Sequence, residues 1–365
     1  MLNWFSSVVR LINGEQEIGR SRGFWICAFA VAVGLIVLPR FVSAYALLNY
    51  SYIISMVFLA LGLCLIWGFA GILSLGQAAF LGLAGYAYGV VGINLSQSGT
   101  TYLALIAGLM VPTLFAAVLS YVMFYARVKG VYVAIMMLVV TLLFETFLNQ
   151  TAGPQWHIGV ASLGGNNGLG RFSGAIHEPP SITLGLGSRL IEFSGQSVAF
   201  YYLEVGLLIA IYLCLRALVN SRFGLILAAI REDGARVESF GYDVRAIQLV
   251  VFCLGAALAA LSGILYVSWG NFITPSVFGV TNNILPVIWV AVGGRKSLTA
   301  TVISTVVLTW LSQRFAIQGE YAFVVMGALL VVVMMLRPEG LITSFGGRKT
   351  SASPPLSPGS SHDGR

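Results

Sequence analysis

The sequence predicts an all-α polytopic membrane protein with about ten membrane segments, some broken or re-entrant, and with both termini cytoplasmic. Three observations lead there. Of 365 residues 58% are hydrophobic and only 9% charged, against about 25% charged in soluble domains. The mean hydropathy is +0.89, and apolar runs near the roughly 20 residues that a crossing helix needs recur along the chain. The basic residues fall between these runs, with a strong bias to one side.

Taken in order, residues 1–22 set Trp4, Phe5, Val8, Val9, Leu11 and Ile12 ahead of Glu15, Glu17, Arg20 and Arg22. This pattern suits a cytoplasmic or interfacial segment on the membrane surface, or a flexible leader. The first apolar run starts near Phe24 and lacks a small-residue cleavage site, so the start is expected to be retained. Membrane segments are expected at 24–39, 45–68, 69–93, 101–125, 131–149, 200–219, 247–270, 283–293, 298–313 and 321–336. The eighth is too short to cross as a straight helix. Residues 23–343 thus form one membrane domain with an outer loop at 150–199 and a cytoplasmic loop at 220–246. The Ser-, Pro- and Gly-rich stretch 344–365 is expected to be a disordered cytoplasmic tail.

Threaded from a cytoplasmic N-terminus, sixteen of the 20 Lys and Arg fall on the inner side. Arg40, Arg171, Arg189 and Arg314 are left outside, as the positive-inside bias requires. The same bias accounts for the net charge of +7, since the basic residues are scattered between apolar runs and do not form the clustered face of a nucleic-acid binder. Cys27, Cys64, Cys214 and Cys253 lie inside apolar runs at unrelated spacing and read as small core residues, not disulfides or metal ligands.

Four stretches depart from plain apolar spans. The run from Gly68 to Gly92 holds seven glycines, with Ser74 and Gln77. Such density permits either local unwinding beside a pathway or a small-residue packing face. Glu145 lies within TLLFETFL with no basic residue in its span. An acid there costs a few kcal/mol unless it faces the bundle interior or water, so it marks a route, or it reaches the interface near Asn149. The outer loop contains LGGNNGLGRF, where Gly164, Gly165, Asn166 and Asn167 accept positive φ cheaply and build a tight turn on which a soluble receptor could dock. Farther on, Pro286 and the pair Gly293 and Gly294 are expected to interrupt a second run, as broken transporter helices do. GGRKS near its end lacks the upstream glycine of a nucleotide-binding loop.

The fifth departure is a charged island, residues 221–247, holding four of the 13 acidic residues. Glu232 and Arg236 stand four apart in the order that favours a helical ion pair, so a short helix is expected from Leu227 to Phe240, with Gly241 ending it. Ile230, Gly234, Val237 and Gly241 would share one face, giving an amphipathic element shaped to dock in another protein's groove. The same charges would also suit a solvated connecting loop.

These stretches, LSLGQAAFLGLAGYAYG, the acid of the fifth segment, GGNNGLG, AIREDGARVESFGYDVRAIQLVVFCLGAALAALSGILY and VIWVAVGGRKSLTATVIS with LRPEGL, occur in this order across about residues 20–345. In that order they resemble the membrane permeases of bacterial ABC importers of the branched-chain amino acid type, and GGNNGL and WVAVGGR resemble the urea-transport subgroup. The resemblance implies a multi-pass permease subunit of the bacterial inner membrane that translocates a small polar solute, with urea ahead of a branched-chain amino acid or a short amide. It implies partners as well: a second, related permease subunit, cytoplasmic ATP-binding subunits that carry the ATP and Mg, and a periplasmic or extracellular solute-binding protein. No cofactor, metal or nucleic acid is expected in or on this chain itself, and its other contact is membrane lipid.

By the same resemblance, residues 229–242 are a coupling loop seated in a cleft of the ATPase, with Ile230, Arg231, Glu232, Arg236, Val237, Glu238, Phe240 and Gly241 at the contact. Ser74, Gln77 and Glu145 are the candidate pathway residues. The family usually has His where this chain has Gln77, and only His titrates near neutrality. An ATP-independent secondary transporter or channel would leave the island without a purpose. A membrane enzyme would need acidic, His or Cys side chains gathered at one membrane face, and acids gather only on the island, between arginines. Gly241→Arg is expected to abolish uptake while the protein remains in the membrane, checked by transport and by membrane immunoblot.

Overall fold

The structure is a computed structural model that describes residues 21–95, 101–153, 155–170, 178–186 and 189–315, together with positions 14 and 327. Helices are α1 (Arg22–Val37), α2 (Ala44–Leu63), α3 (Gln77–Asn94), α4 (Tyr102–Tyr125) and α5 (Val131–Asn149). After the long loop come α6 (Val198–Val219), α7 (Arg222–Ser239), α8 (Val244–Gly270), α9 (Val280–Gly293) and α10 (Leu298–Phe315). Several starts carry side-chain caps: Ser21 Oγ accepts from the Phe24 amide at 3.2 Å, Ser197 Oγ from Phe200 at 3.1 Å, and Asp243 Oδ1 from Arg245 at 3.1 Å. Most of the expected surface segment 1–22, the tenth membrane segment 321–336 and the tail 344–365 lie outside the described residues, positions 14, 21, 22 and 327 apart.

Among the described residues, six helical stretches are long and apolar enough to cross a membrane: Arg22–Arg40, Ala44–Phe69, Tyr102–Tyr125, Val131–Asn149, Val198–Val219 and Val244–Gly270. The chain is a polytopic helical membrane protein. Helix α9, at 14 residues, spans about 21 Å, short of the roughly 30 Å hydrocarbon layer. The expectation of a segment too short to cross holds.

Helix α8 is the centre of the bundle, in contact with α2, α3 and α4. The apolar window of α2 is 89% buried and that of α8 61%, whereas none of α1 is buried. Small residues set the spacing: a Cβ on Gly263 of α8 would collide with the Leu81 carbonyl of α3, the close approach that glycine allows between membrane helices. Helix α1 lies against α6, where Tyr201 and Tyr202 donate their hydroxyls to the carbonyls of Leu35 (3.0 Å) and Ile36 (3.1 Å).

The helical fold agrees with the expected all-α class, and the long loop adds two antiparallel hairpins, β1 (His157–Ile158) with β2 (Ala161–Ser162) and β3 (Ile182–Leu186) with β4 (Arg189–Phe193), Leu184 standing opposite Ile191. Three expectations need correction. The run 69–93 is not one span, because helix resumes only at Gln77. Pro286 does not interrupt α9; it sits inside the helix, and the break falls before Val280, at a 3₁₀ turn Pro275–Phe278. The island helix starts five residues earlier than expected, at Arg222, and kinks at Asp233 (φ −155°, ψ 91°).

That kink removes the expected Glu232–Arg236 pair. Asp233 leaves helical geometry and caps the second half of α7, its Oδ1 accepting from the Arg236 amide at 3.0 Å and its Oδ2 facing the Arg236 guanidinium at 3.3 Å. Glu232 pairs instead with its neighbour Arg231 at 3.1 Å. A mid-segment cap of this kind is worth about 1 kcal/mol. Asp233→Ala is therefore expected to speed amide hydrogen exchange across 234–239 about fivefold, with exchange in α2 and α8 unchanged.

Candidate functional site

Among the described residues the bundle contains two breaks, one entering from each end. Helix α2 runs into a six-residue π-helical turn, Cys64–Phe69; residues 70–76 then leave helical geometry. This break begins beside the island. The second begins where α8 ends at Asn271, left-handed at φ 53°, and runs through the 3₁₀ turn Pro275–Phe278 to Val280. It begins beside the long loop, where Leu169 and Ile273 exchange backbone hydrogen bonds of 2.8 and 2.9 Å. Irregular backbone at membrane depth is tolerated only inside protein or beside a water-filled path.

Asn283, in the first turn of α9, joins the two breaks. Its Oδ1 accepts from the Ala78 amide at 3.3 Å, at the start of α3, and its Nδ2 donates to the carbonyls of Phe278 (3.0 Å) and Gly279 (3.1 Å). One buried amide thus meets an unpaired helix-start donor and two break carbonyls. Nothing in the NNILP pattern marked it in the sequence.

The expected pathway residues gather around this joint. Ser74 is fully buried, and its Oγ accepts from the Gly76 amide at 3.4 Å. Gln77 opens α3 and is 1% exposed, yet neither atom of its amide group has a hydrogen-bond partner. Glu145 is half-buried on α5, and a Cβ built on Gly279 would stand 3.4 Å from its Oε1. It lies at the second break, not beside Gln77. The glycine run serves both of the readings open to it: residues 70–76 unwind, while Gly82 and Gly85 on α3 pack against Phe278, Ile273 and Val267.

Between the breaks lies a cavity of about 50 Å³ walled by Tyr52, Met56, Leu59, Ala78, Leu81, Tyr266, Val277, Asn282, Leu285 and Trp289. Tyr52 and Tyr266 have ring centroids 6.2 Å apart. A second space of about 280 Å³, shared through Tyr52, Leu285 and Trp289, adds Asn49, Trp269, Thr309, Ser312 and Gln313. The Trp289 indole N–H and the Thr309 hydroxyl are buried without a partner. Among the described residues, no charged side chain lines either space. Tyr52, Asn282 and Trp289 were not singled out from sequence, since aromatic and amide residues in apolar runs carry no periodic signal.

At the long loop, Gly164 and the turn Gly165–Asn167 hold Asn166 and Asn167 exposed, with Gly165 buried. At the island end, Ile230 (6% exposed) and Val237 (7%) face inward. Glu232, Arg236 and Glu238 are exposed, as are Phe240 at 76% and Gly241. Gly241 has φ 87°, and its amide donates to the Glu238 carbonyl at 3.0 Å: this is the left-handed helix end that glycine fits without strain. Arg231 points inward, its side chain 21% exposed.

Glu204 in α6 is a further buried acid, wholly inaccessible, with no partner for either carboxylate oxygen and Ser51 as its polar neighbour. The signal that marks Glu145, an acid within an apolar run, marks YYLEVGLL equally. Among the described residues, no group of three or more His, Cys, Asp or Glu side chains could hold a metal ion.

Comparison with known proteins follows the same outline. Residues 44–334 match the family described as branched-chain amino acid transport system, permease component. The chain is 28% identical over 305 residues to the high-affinity branched-chain amino acid transport system permease protein LivM of Escherichia coli (strain K12), covering 81% of this chain and 69% of that one. Its counterpart in Salmonella typhimurium is 26% identical over 294 residues, 78% of this chain and 67% of that one. A probable branched-chain amino acid transport permease protein LivM of Methanocaldococcus jannaschii is 26% identical over 180 residues, 45% of this chain and 50% of that one. No solved structure matches. Because the match begins with α2 and extends beyond α10, taking in both breaks and the island, the chain belongs to the family of permease components of branched-chain amino acid transport systems.

Proposed function

We propose that this chain is the membrane permease subunit of an ATP-driven ABC importer of the bacterial inner membrane, and that its solute is a small neutral polar molecule, urea fitting best. One observation carries the choice of solute: the space between the breaks is walled by aromatic rings, Asn282 and the unpartnered Trp289 N–H, with no charged side chain among the described residues that line it. Urea has N–H donors and a carbonyl acceptor but no charge, so neutral amide and indole groups suffice to pair it. A zwitterion would have two charges to compensate in the same apolar surroundings.

A second reading, import of branched-chain amino acids, is favoured by the names of the relatives in Escherichia coli and Salmonella typhimurium. Under it, Glu145 at the second break would face the solute's ammonium group.

Under either reading the topology has ten segments within 23–343 and both termini in the cytoplasm, with the tail 344–365 beyond. The positive-inside bias then sets the island in the cytoplasm and the long loop outside. A solute-binding protein would load solute at Gly164, Gly165, Asn166 and Asn167. Cytoplasmic subunits carrying ATP and Mg would seat the exposed tip Glu232, Arg236, Glu238, Phe240 and Gly241, and a second, related permease subunit would complete the membrane part. ATP binding and hydrolysis in the partner would rock the island and open the space between the breaks alternately to each side, with no covalent chemistry in this chain.

Uptake of labelled urea and labelled leucine, compared in cells lacking the gene and in cells with it restored, is the test. Restored, energy-dependent uptake of urea but not leucine is expected; the reverse outcome selects the second reading. Glu145→Gln is expected to lower uptake severalfold at unchanged membrane level, measured as initial rate, whereas wild-type rates would leave Glu145 an interfacial residue.

A further inference from the structure

The island is joined to the first break by one side chain. Arg231 Nη1 donates to the Gly68 carbonyl oxygen at 2.6 Å, across 163 residues of sequence. That carbonyl lies in the π-helical turn ending α2, and its usual backbone donors go elsewhere. The Gly71 amide bonds to Trp67 and the Ile72 amide to Ile66, both at 3.1 Å, passing over Gly68. A terminal acceptor in a buried turn needs a partner, and Arg231 supplies it.

The fit around this bond is close on both sides. The Arg231 stem lies on Gly71, where φ is 77° and a Cβ would stand 2.8 Å from Arg231 Cγ. On the opposite side a Cβ at Gly68 would run into the carbonyl of Arg295, just past the end of α9. The Arg295 guanidinium stands 5.8 Å from the Trp67 ring. The turn is thus held between the island and the end of α9, so both meet at Gly68. Next to Arg231, a space of about 360 Å³ separates α7 from the loop after α4, lined among others by Arg127, Lys129 and Gly130. The island has room to shift there.

We propose that Arg231 is the positioning residue that carries movement of the island into the pathway, by setting the register of the Cys64–Phe69 turn. With Arg231 on Gly68 the turn stays π. When the island moves and withdraws the guanidinium, the Ile72 amide closes on Gly68 in ordinary α register. The Ile72 amide thereby changes its acceptor from Ile66 to Gly68, two residues along, which at the helical rise displaces the stretch leading to Ser74 and Gln77 by on the order of 3 Å; π turns recur at functional sites. The inference rests on the importer reading and adds to it the atom through which the partner acts.

The assembled complex with its ATPase and solute receptor tests this. Contrary to its expected place at the ATPase contact, Arg231 is turned inward onto Gly68 and is not part of the exposed tip, so Arg231→Met is expected to assemble normally and to hydrolyse ATP on receptor stimulation near the wild-type rate. Uptake per ATP should fall about tenfold, the size set by losing one charged hydrogen bond. Arg231→Lys, which can still donate once to the carbonyl, should recover much of the loss. Gly71→Ala, which presses on the Arg231 stem without touching the exposed tip, should uncouple in the same way. Unchanged uptake per ATP in Arg231→Met would overturn the proposal. So would loss of ATPase binding in Arg231→Met together with normal uptake in Gly71→Ala, since Arg231 would then be a docking residue. Wild-type uptake without any ATP requirement would instead remove the importer reading beneath it.

Discussion

Backbone that leaves helical geometry inside an apolar layer must find its hydrogen-bond partners within the protein, and the architecture follows from meeting that demand twice. Residues 70–76 and 271–279 both lack helical hydrogen bonding along much of their length. Asn283 takes one donor and two acceptors across the gap between them, and Arg231 takes the Gly68 carbonyl. An unpaired peptide group there would cost several kcal/mol, so these few polar side chains decide whether the breaks can exist. Near the breaks the Gln77 amide, the Trp289 indole N–H and the Thr309 hydroxyl are among the buried groups that stay unpaired.

The packing divides the bundle accordingly. Helices α2, α3 and α8 form a tight core built on small residues, while the outer faces of α1, α4 and α5 present Phe29, Leu114 and Ile135, each more than half exposed. Such faces suit lipid or another membrane subunit. Tightly packed and broken elements are thus separated: the first break meets the island through Arg231 and the second meets the GGNNGL turn through Leu169.

The island shows why a charge pattern alone misleads about detail. Spacing pointed to a continuous helix with a Glu232–Arg236 pair, yet Asp233 caps its own successor and divides the helix, because a short acid can hydrogen-bond a nearby amide as well as point away from the axis. The consequence is a two-part peg. Its first part is anchored by Leu227 and Ile230, and its second holds Phe240 out at 76% exposure.

Membrane class, the bulk of the spans, the shortness of the eighth segment and the glycine end of the island were determined by the sequence itself. Each depends on local chemistry: apolar length, charge between runs, and positive φ at Gly241. Tertiary structure alone decided the rest. Where the Gly68–Gly92 run unwinds depended on a π turn and on Arg231 arriving from 163 residues away, and the second break fell at Pro275, not Pro286, because Asn283 fixes the start of α9 against α3. The groups facing the central space, Tyr52, Asn282 and Trp289, come from α2 and α9, and no spacing within a single helix can encode a meeting between two.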